Sequence, residues 1–332
     1  MTADTALPVI FYVLMGLSML VYVVLDGFDL GVGMLLPGAP SDTDRDLMVS
    51  AIGPFWDANE TWLVLGVGIL LIAFPKAHGV VLGALYLPVT LMLFGLVLRG
   101  VAFDFRVKAR DEHKPLWNRL FFTGSLVASL AQGWMLGRYV TGFAPGAAAQ
   151  GFAALIALAL PAAYVLLGAT WLVLRTEGAL QTQAEQWARR AWTPVVVGML
   201  AISLATPWVS SFVRDKWFAM PDFLALLPIP VATAIALGTI PVSLTHGIAK
   251  GRFAWVPFAL TALVCLLGFF GLAFSLYPYV VMGRLDLWQA ASATESLWVI
   301  LIGCAVSVPA IAAYTVFAYR VFGGKVRALT YG

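Results

Sequence analysis

The sequence predicts an all-α, polytopic membrane protein of nine transmembrane helices, and three observations predict it. Of its 332 residues 61% are apolar and only 11% are charged, against about 25% charged in an average soluble domain. Mean hydropathy is +0.91. The apolar residues fall into nine stretches, at 8–36, 54–74, 79–98, 117–139, 150–174, 192–212, 223–245, 253–279 and 297–321, each matching the about 20 helical residues that a bilayer crossing needs. Short loops join them and leave no room for a soluble domain, so residues 1–332 read as one integral membrane domain. A net charge of +3 carried on short loops indicates no nucleic-acid partner.

The first stretch exceeds one bilayer: its 29 residues rise about 43 Å against a hydrocarbon core of about 30 Å. Its last two turns, with Asp26 and Asp29, must tilt, protrude or line something polar. Its apolar run is also longer than a signal-peptide core and no Lys or Arg precedes it, so no cleaved signal is expected. The second stretch is uninterrupted only from Thr61 to Phe74, about 21 Å. To span, it must begin near Pro54, which places Asp57 and Glu60 inside the headgroups. Pro88, Pro161, Pro194, Pro241 and Pro309 predict kinks in later helices, which membrane helices tolerate when neighbours satisfy the freed carbonyls. Cys265 and Cys304, within apolar runs, read as small packing residues. Trp117, Trp187, Trp192, Trp217, Trp255 and Trp288 lie near helix ends and read as interfacial anchors. Trp62 and Trp171 lie deeper, in the repeated Thr-Trp-Leu-Val-Leu at 61–65 and 170–174, and pack the core or line a passage for gas or lipid.

Residues 12–21 and 164–173 agree at six of ten positions. A duplication would make 8–139 and 150–279 half-repeats, two four-helix bundles with 297–321 as an extra peripheral helix. Apolar sequence also produces such matches by chance, and both readings stay open. Fifteen of the 20 Lys and Arg lie in the connections after odd-numbered helices and in the C-terminal tail. The positive-inside rule therefore predicts a cytoplasmic C-terminus and a periplasmic N-terminus.

Five acids gather near the predicted cytoplasmic end of the first three helices: Asp26, Asp29, Asp57, Glu60 and, just past the third, Asp104. Asp26 with Asp29, and Asp57 with Glu60, are spaced i,i+3 and share a helix face. Acids in the first turn of a helix behind a proline also satisfy its dipole and free N–H groups, the plainer reading of Asp57 and Glu60. Against it, a carboxylate inside the membrane costs up to about 2.5–3.5 kcal/mol at the helix centre and commonly marks a polar path. Close carboxylates repel, and sharing a proton relieves the repulsion, which suits a proton relay. Arg99, with Arg106 beyond it, is either a snorkelling arginine or a counter-ion to one carboxylate.

His78 falls in an outer loop, His113 in a cytoplasmic loop and His246 at the cytoplasmic end of the seventh helix. A pair of facing histidines for an intramembrane haem cannot be built from these, so a redox enzyme containing this chain would carry its metals in another subunit. The sequence has no phosphate-binding glycine loop after a strand, no nucleophile elbow and no HExxH motif.

Three blocks then stand together: VYVVLDGFDLGVG at 21–33, GPFWDANETWL at 53–63 and LRGVAFDFR at 98–106. They resemble subunit II of the cytochrome bd-type quinol oxidases, and the second block resembles the cyanide-insensitive branch. The resemblance implies a heterodimer in the bacterial cytoplasmic (inner) membrane. In it a haem-bearing subunit I holds two b-type haems and a third of d or b type, and the complex oxidises quinol and reduces dioxygen to water. Subunit II itself ligates no haem; some members bind a structural quinone, and a small single-helix subunit can attach. By motif position Asp57 is the implied proton-path residue and Trp62 lies on the implied dioxygen route. Asp26, Asp29, Arg99 and Asp104 match motif positions of less defined role, and Glu60 stands where relatives can have an amide. A proton-coupled transporter is the alternative reading of the intramembrane acids, although transporter sites lie near the midplane rather than at one end. A purely scaffolding chain would leave the acids without a role.

Overall fold

A computed structural model of the chain describes residues 2–245 and 251–326. Among the described residues nine helical spans are long and apolar enough to cross a membrane. Their helices are α1 (Ala3–Leu35), α2 (Trp56–Ala73), α3 (Pro75–Lys108), α4 (Lys114–Val140), α5 (Ala147–Arg175), α6 (Gly178–Val209), α7 (Pro228–Thr245), α8 (Val256–Leu276) and α9 (Thr294–Val321). Proline stands in the first turn of α3, α4 and α8, where its missing N–H breaks no bond. The prolines expected to kink helices all lie inside them.

Three features differ from the apolar pattern. Helix α3 runs from Pro75 to Lys108, so Asp104 lies on the helix rather than past its end, and His78 lies in its opening turns rather than in a loop. Helix α6 starts at Gly178, well before its apolar stretch, because 178–191 is amphipathic: Leu180, Ala184, Trp187 and Ala188 are buried while Arg189 and Arg190 are exposed. A hydropathy average cancels such a face. Between α8 and α9, Tyr279–Val281 pairs antiparallel with Leu285–Asp286 in a small hairpin too short to show a strand periodicity. His246 lies outside the described residues.

Helix α1 is central, packing on α2, α4 and α5 and more lightly on α8 and α9. Helix α3 packs along α4, α4 and α1 along α5, α5 along α6, and α7 along α8. Helix α9 lies lightly against α1 and α2, and leaves Val299, Ile302, Val306 and Phe317 exposed. Lipid is as apolar as leucine, so membrane helices associate by close packing, which small residues permit. Glycine does this where α5 meets α1 and α4: a Cβ on Gly31 would stand 1.8 Å from the Tyr164 carbonyl oxygen, and one on Gly137 2.5 Å from the Ala153 Cα.

Candidate functional site

The Asp-Gly-Phe-Asp-Leu-Gly run at 26–31 brings two carboxyl groups into the protein interior near the face at which α1 ends, the distal face. Asp26 and Asp29 are both completely buried. Arg99, on α3, is buried beside them, and its Nη2 donates to Asp26 Oδ1 at 2.7 Å and also to Glu60 Oε1 on α2. Three helices are thus tied by one guanidinium. Asp29 is held differently: its Oδ2 accepts from Asn59 Nδ2 at 2.7 Å, and Asn59 Oδ1 accepts from the Tyr319 hydroxyl of α9 at 3.0 Å.

The glycines of the run explain how the site closes. A Cβ on Gly27 would stand 2.8 Å from the Tyr164 ring, so only glycine lets that tyrosine lie over α1. Nearby, Gln132 Nε2 donates to the Tyr22 oxygen and the Tyr164 hydroxyl donates to Gln132 Oε1, both at 2.7 Å.

One guanidinium therefore faces three carboxyl groups. Burying such charges costs several kcal/mol per ion unless they are paired and hydrogen-bonded. The pairing is incomplete, because Asp26 Oδ2, Asp29 Oδ1, and Arg99 Nε and Nη1 have no hydrogen-bond partner among the described residues. A cluster with an excess of carboxyl oxygens and free acceptor positions can take up and release protons without moving its heavy atoms.

Two further arginines tie the distal face. Arg106 pairs with Asp46 of the short helix Asp42–Ile52 at 2.8 Å, and its Nε donates to Asn118 Oδ1 at 2.5 Å. Arg175, at the end of α5, donates to the Phe322 carbonyl at 2.6 Å, while Lys325 donates back to the Thr176 carbonyl at 2.8 Å. Each cation caps the C-terminal end of the other's helix, where the helix dipole is negative.

Of the residues singled out in the sequence, Asp26, Asp29, Glu60 and Arg99 come together. Asp57 and Asp104 do not: both are exposed and neither is in an ion pair among the described residues. The shared face expected of Asp57 and Glu60 is resolved by Arg99, which draws Glu60 inward while Asp57, about 60° round the helix, stays outside. Arg99 is a counter-ion, not a snorkelling arginine. Trp62 is buried in the core that includes Leu63, Met92 and Leu96. Trp171 stacks on Phe28 at 4.2 Å between ring centroids and donates to the Ala51 carbonyl at 3.1 Å, so it packs the core.

Sequence reasoning missed Asn59, Tyr319, Tyr22, Gln132 and Tyr164. Asn59 and Gln132 carried a signal, as carboxamides inside apolar helices; the tyrosines carried none. His78 lies in the opening turns of α3 and His113 in the turn that follows its far end, with about 45 Å of helix between His78 and Lys108, so they cannot face each other across a haem. Among the described residues no group of three or more His, Cys, Asp or Glu is placed to hold a metal ion.

Together these features define a multi-pass helical membrane protein with an ion cluster buried toward one end of the bundle. The chain belongs to the family Cytochrome bd terminal oxidase subunit II, which it matches over residues 7–322. It is 28% identical to Cytochrome bd ubiquinol oxidase subunit 2 of Bacillus subtilis (strain 168) over 96% of both chains. It is 29% identical to Cytochrome bd-I ubiquinol oxidase subunit 2 of Escherichia coli (strain K12), over 95% of this chain and 94% of that one. Its fold is similar to a chain in the structure of bd oxidase from Geobacillus thermodenitrificans, with a TM-score of 0.79 at 16% identity, covering 96% of this chain and 99% of that one. The family expected from the three motif blocks is the family found.

Proposed function

We propose that this chain is the haem-free subunit II of a bacterial inner-membrane oxidase that oxidises quinol and reduces dioxygen to water, with its C-terminus cytoplasmic. The full-length family match supports the membership, and the Asp26–Arg99–Glu60 cluster, with Asp26 and Arg99 fully buried, is the observation that carries the role. The redox chemistry belongs to haems in subunit I, two of b type and a third of d or b type. This chain's residues do what haem cannot: they hold the partner in place and bring protons toward it.

The proton path enters at the distal face. Asp57 and Asp104 stand at its mouth, and Glu60, Asp26 and Asp29 hold protons inside, with Arg99 keeping the carboxyl groups together. Dioxygen needs the opposite environment. It is apolar, and the Trp62 region of α2, in a core of Leu and Met side chains, suits its passage. A structural quinone and a small single-helix subunit are compatible additions implied by the family.

The outward face of α2 and α3 supports a partner. Asp57, Thr61, Thr90 and Asp104 are exposed there among Val64, Leu71, Phe94, Val97 and Val101. Carboxylates facing lipid are expensive, and a subunit laid over this face removes that cost. The test is purification through a tag on this chain. A two-subunit complex with a haem spectrum and quinol-driven oxygen uptake is expected; a stable colourless monomer would sink the reading.

A further inference from the structure

The two buried acids of α1 are held by different kinds of donor. Asp26 Oδ1 accepts from the Arg99 guanidinium, whereas Asp29 is in no ion pair among the described residues and its Oδ2 accepts from a neutral carboxamide, Asn59 Nδ2. Asn59 is itself buried, and both ends of its amide are in use. Its Nδ2 also donates to the Leu25 carbonyl oxygen at 3.4 Å. A carbonyl only accepts, so this contact fixes which end of the amide is nitrogen. The Oδ1 end then faces the Tyr319 hydroxyl of α9, which must donate to it. Tyr319 is set in turn by its stack on Phe55, 4.3 Å between ring centroids, and three residues on by the bond from Arg175 to the Phe322 carbonyl. Helix α9, otherwise lightly packed, thus supplies a polar side chain to the site.

We infer that Asn59 is a positioning residue that decides where Asp29 carries its proton: with Oδ2 occupied by the amide, the proton goes on and off at Oδ1. This role rests on the reading of Asp29 as a proton-path residue. Asp26 has the same arrangement. In each aspartate one oxygen accepts from a donor that keeps its hydrogen at any ordinary pH, a carboxamide for Asp29 and a guanidinium for Asp26. The other oxygen, Asp29 Oδ1 or Asp26 Oδ2, is buried with no hydrogen-bond partner among the described residues. The step is a plain proton transfer: an O–H bond forms at Oδ1 when Asp29 takes the proton, the same bond breaks when it passes on, and no other bond changes. An amide turned the other way would set its oxygen against Asp29, acceptor against acceptor, and the Leu25 carbonyl and the Tyr319 hydroxyl together oppose that turn. The titratable and charged groups that face Asp29 are Asp26 on α1, Glu60 on α2, Arg99 on α3 and Tyr319 on α9, and Arg175 of α5 faces Tyr319.

The experiment measures quinol-driven oxygen uptake across pH in the assembled, haem-bearing oxidase, each variant relative to the unaltered complex. Asn59→Leu keeps the size and removes both polar atoms. It is expected to slow turnover about tenfold, the worth of one buried hydrogen bond to a charged group, with the haem spectrum unchanged. Asn59→Asp should turn over normally in acid, where its protonated carboxyl group still donates to Asp29 and still accepts from Tyr319. In alkali it should fall at least as far as Asn59→Leu, once it ionises and turns an oxygen to Asp29. Tyr319→Phe loosens the amide and should cost about threefold, the worth of a hydrogen bond between neutral groups; added to Asn59→Leu it should cost nothing more. A normal rate in an assembled Asn59→Leu complex would overturn the inference, as would an Asn59→Asp loss that is the same at every pH, which a merely structural asparagine would produce. Should Asn59→Leu not assemble, Asn59→Asp decides alone, since it has the same shape and its acid rate is its own reference. Asp29→Asn separates the two levels: a normal rate in it sinks the proton-path reading of Asp29 itself, whereas a slow Asp29→Asn beside an Asn59→Asp without pH dependence sinks the positioning role alone.

Discussion

Two cations at opposite faces of the bundle, one half-buried and one fully buried, are satisfied in opposite ways. Lys216, on the short helix Ser211–Phe218, donates to the Phe274 carbonyl at 2.5 Å and to that of Tyr277, and lies 4.4 Å from the centre of the Phe274 ring. Carbonyls and rings take no proton at any ordinary pH, so this lysine caps the end of α8 and nothing more. Burial lowers its ammonium pKa from the usual lysine value, and no carboxylate pairs with it among the described residues. Arg99 instead meets carboxyl groups, which outnumber it and, unlike carbonyls and rings, are groups able to take up a proton. The difference teaches where function lies: a cation satisfied by backbone is structural, and one outnumbered by acids sits in a site that can change its charge.

The contrast is broken most severely by Arg99→Met, which leaves Asp26 and Glu60 without their cation. The expected loss is about 3–5 kcal/mol of stability, seen as a collapse in the yield of assembled, haem-containing complex. Arg99→Lys should recover part of that yield, because it keeps the charge but not the planar guanidinium whose Nη2 meets both Asp26 and Glu60. Asp26→Asn removes the proposed proton carrier while keeping the shape. Turnover should fall about a hundredfold with the haem spectrum retained, measured by quinol-driven oxygen uptake. Asp57→Asn, at the proposed mouth rather than the centre, should slow turnover or charge separation by less than about tenfold; loss of all haem would make that residue structural instead. Lys216→Met is the mild end of the series. It should lower thermal stability by about 1 kcal/mol and leave turnover unchanged, and a slowed Lys216→Met enzyme would undo the comparison.

Much of this was legible in the residues. Charges inside apolar runs are so costly that Asp26, Asp29, Glu60 and Arg99 stood out before any contact was known, and the spans were set by lengths of apolar sequence. The pairing was less legible. Spacing placed Asp57 and Glu60 on one side of a helix, yet Glu60 is drawn half inside and Asp57 stays exposed, because a long arginine from α3 reaches a single position. Asn59 and Tyr319 illustrate the limit: the asparagine joins α2 to Asp29 on α1, and its tyrosine partner is 260 residues away.

By itself the sequence determined that this is a membrane protein of nine spans, which family it belongs to, and which charges need explaining. Hydrophobic length and charge cost are local properties, readable one residue at a time. Only the tertiary structure decided which acids share Arg99, which face outward, and that Gln132 joins two tyrosines on separate helices. Those outcomes depend on how closely helices approach. Gly27 and Gly31 permit the approach of α5 to α1, and a hydrogen bond made at 2.7 Å is lost at twice that distance.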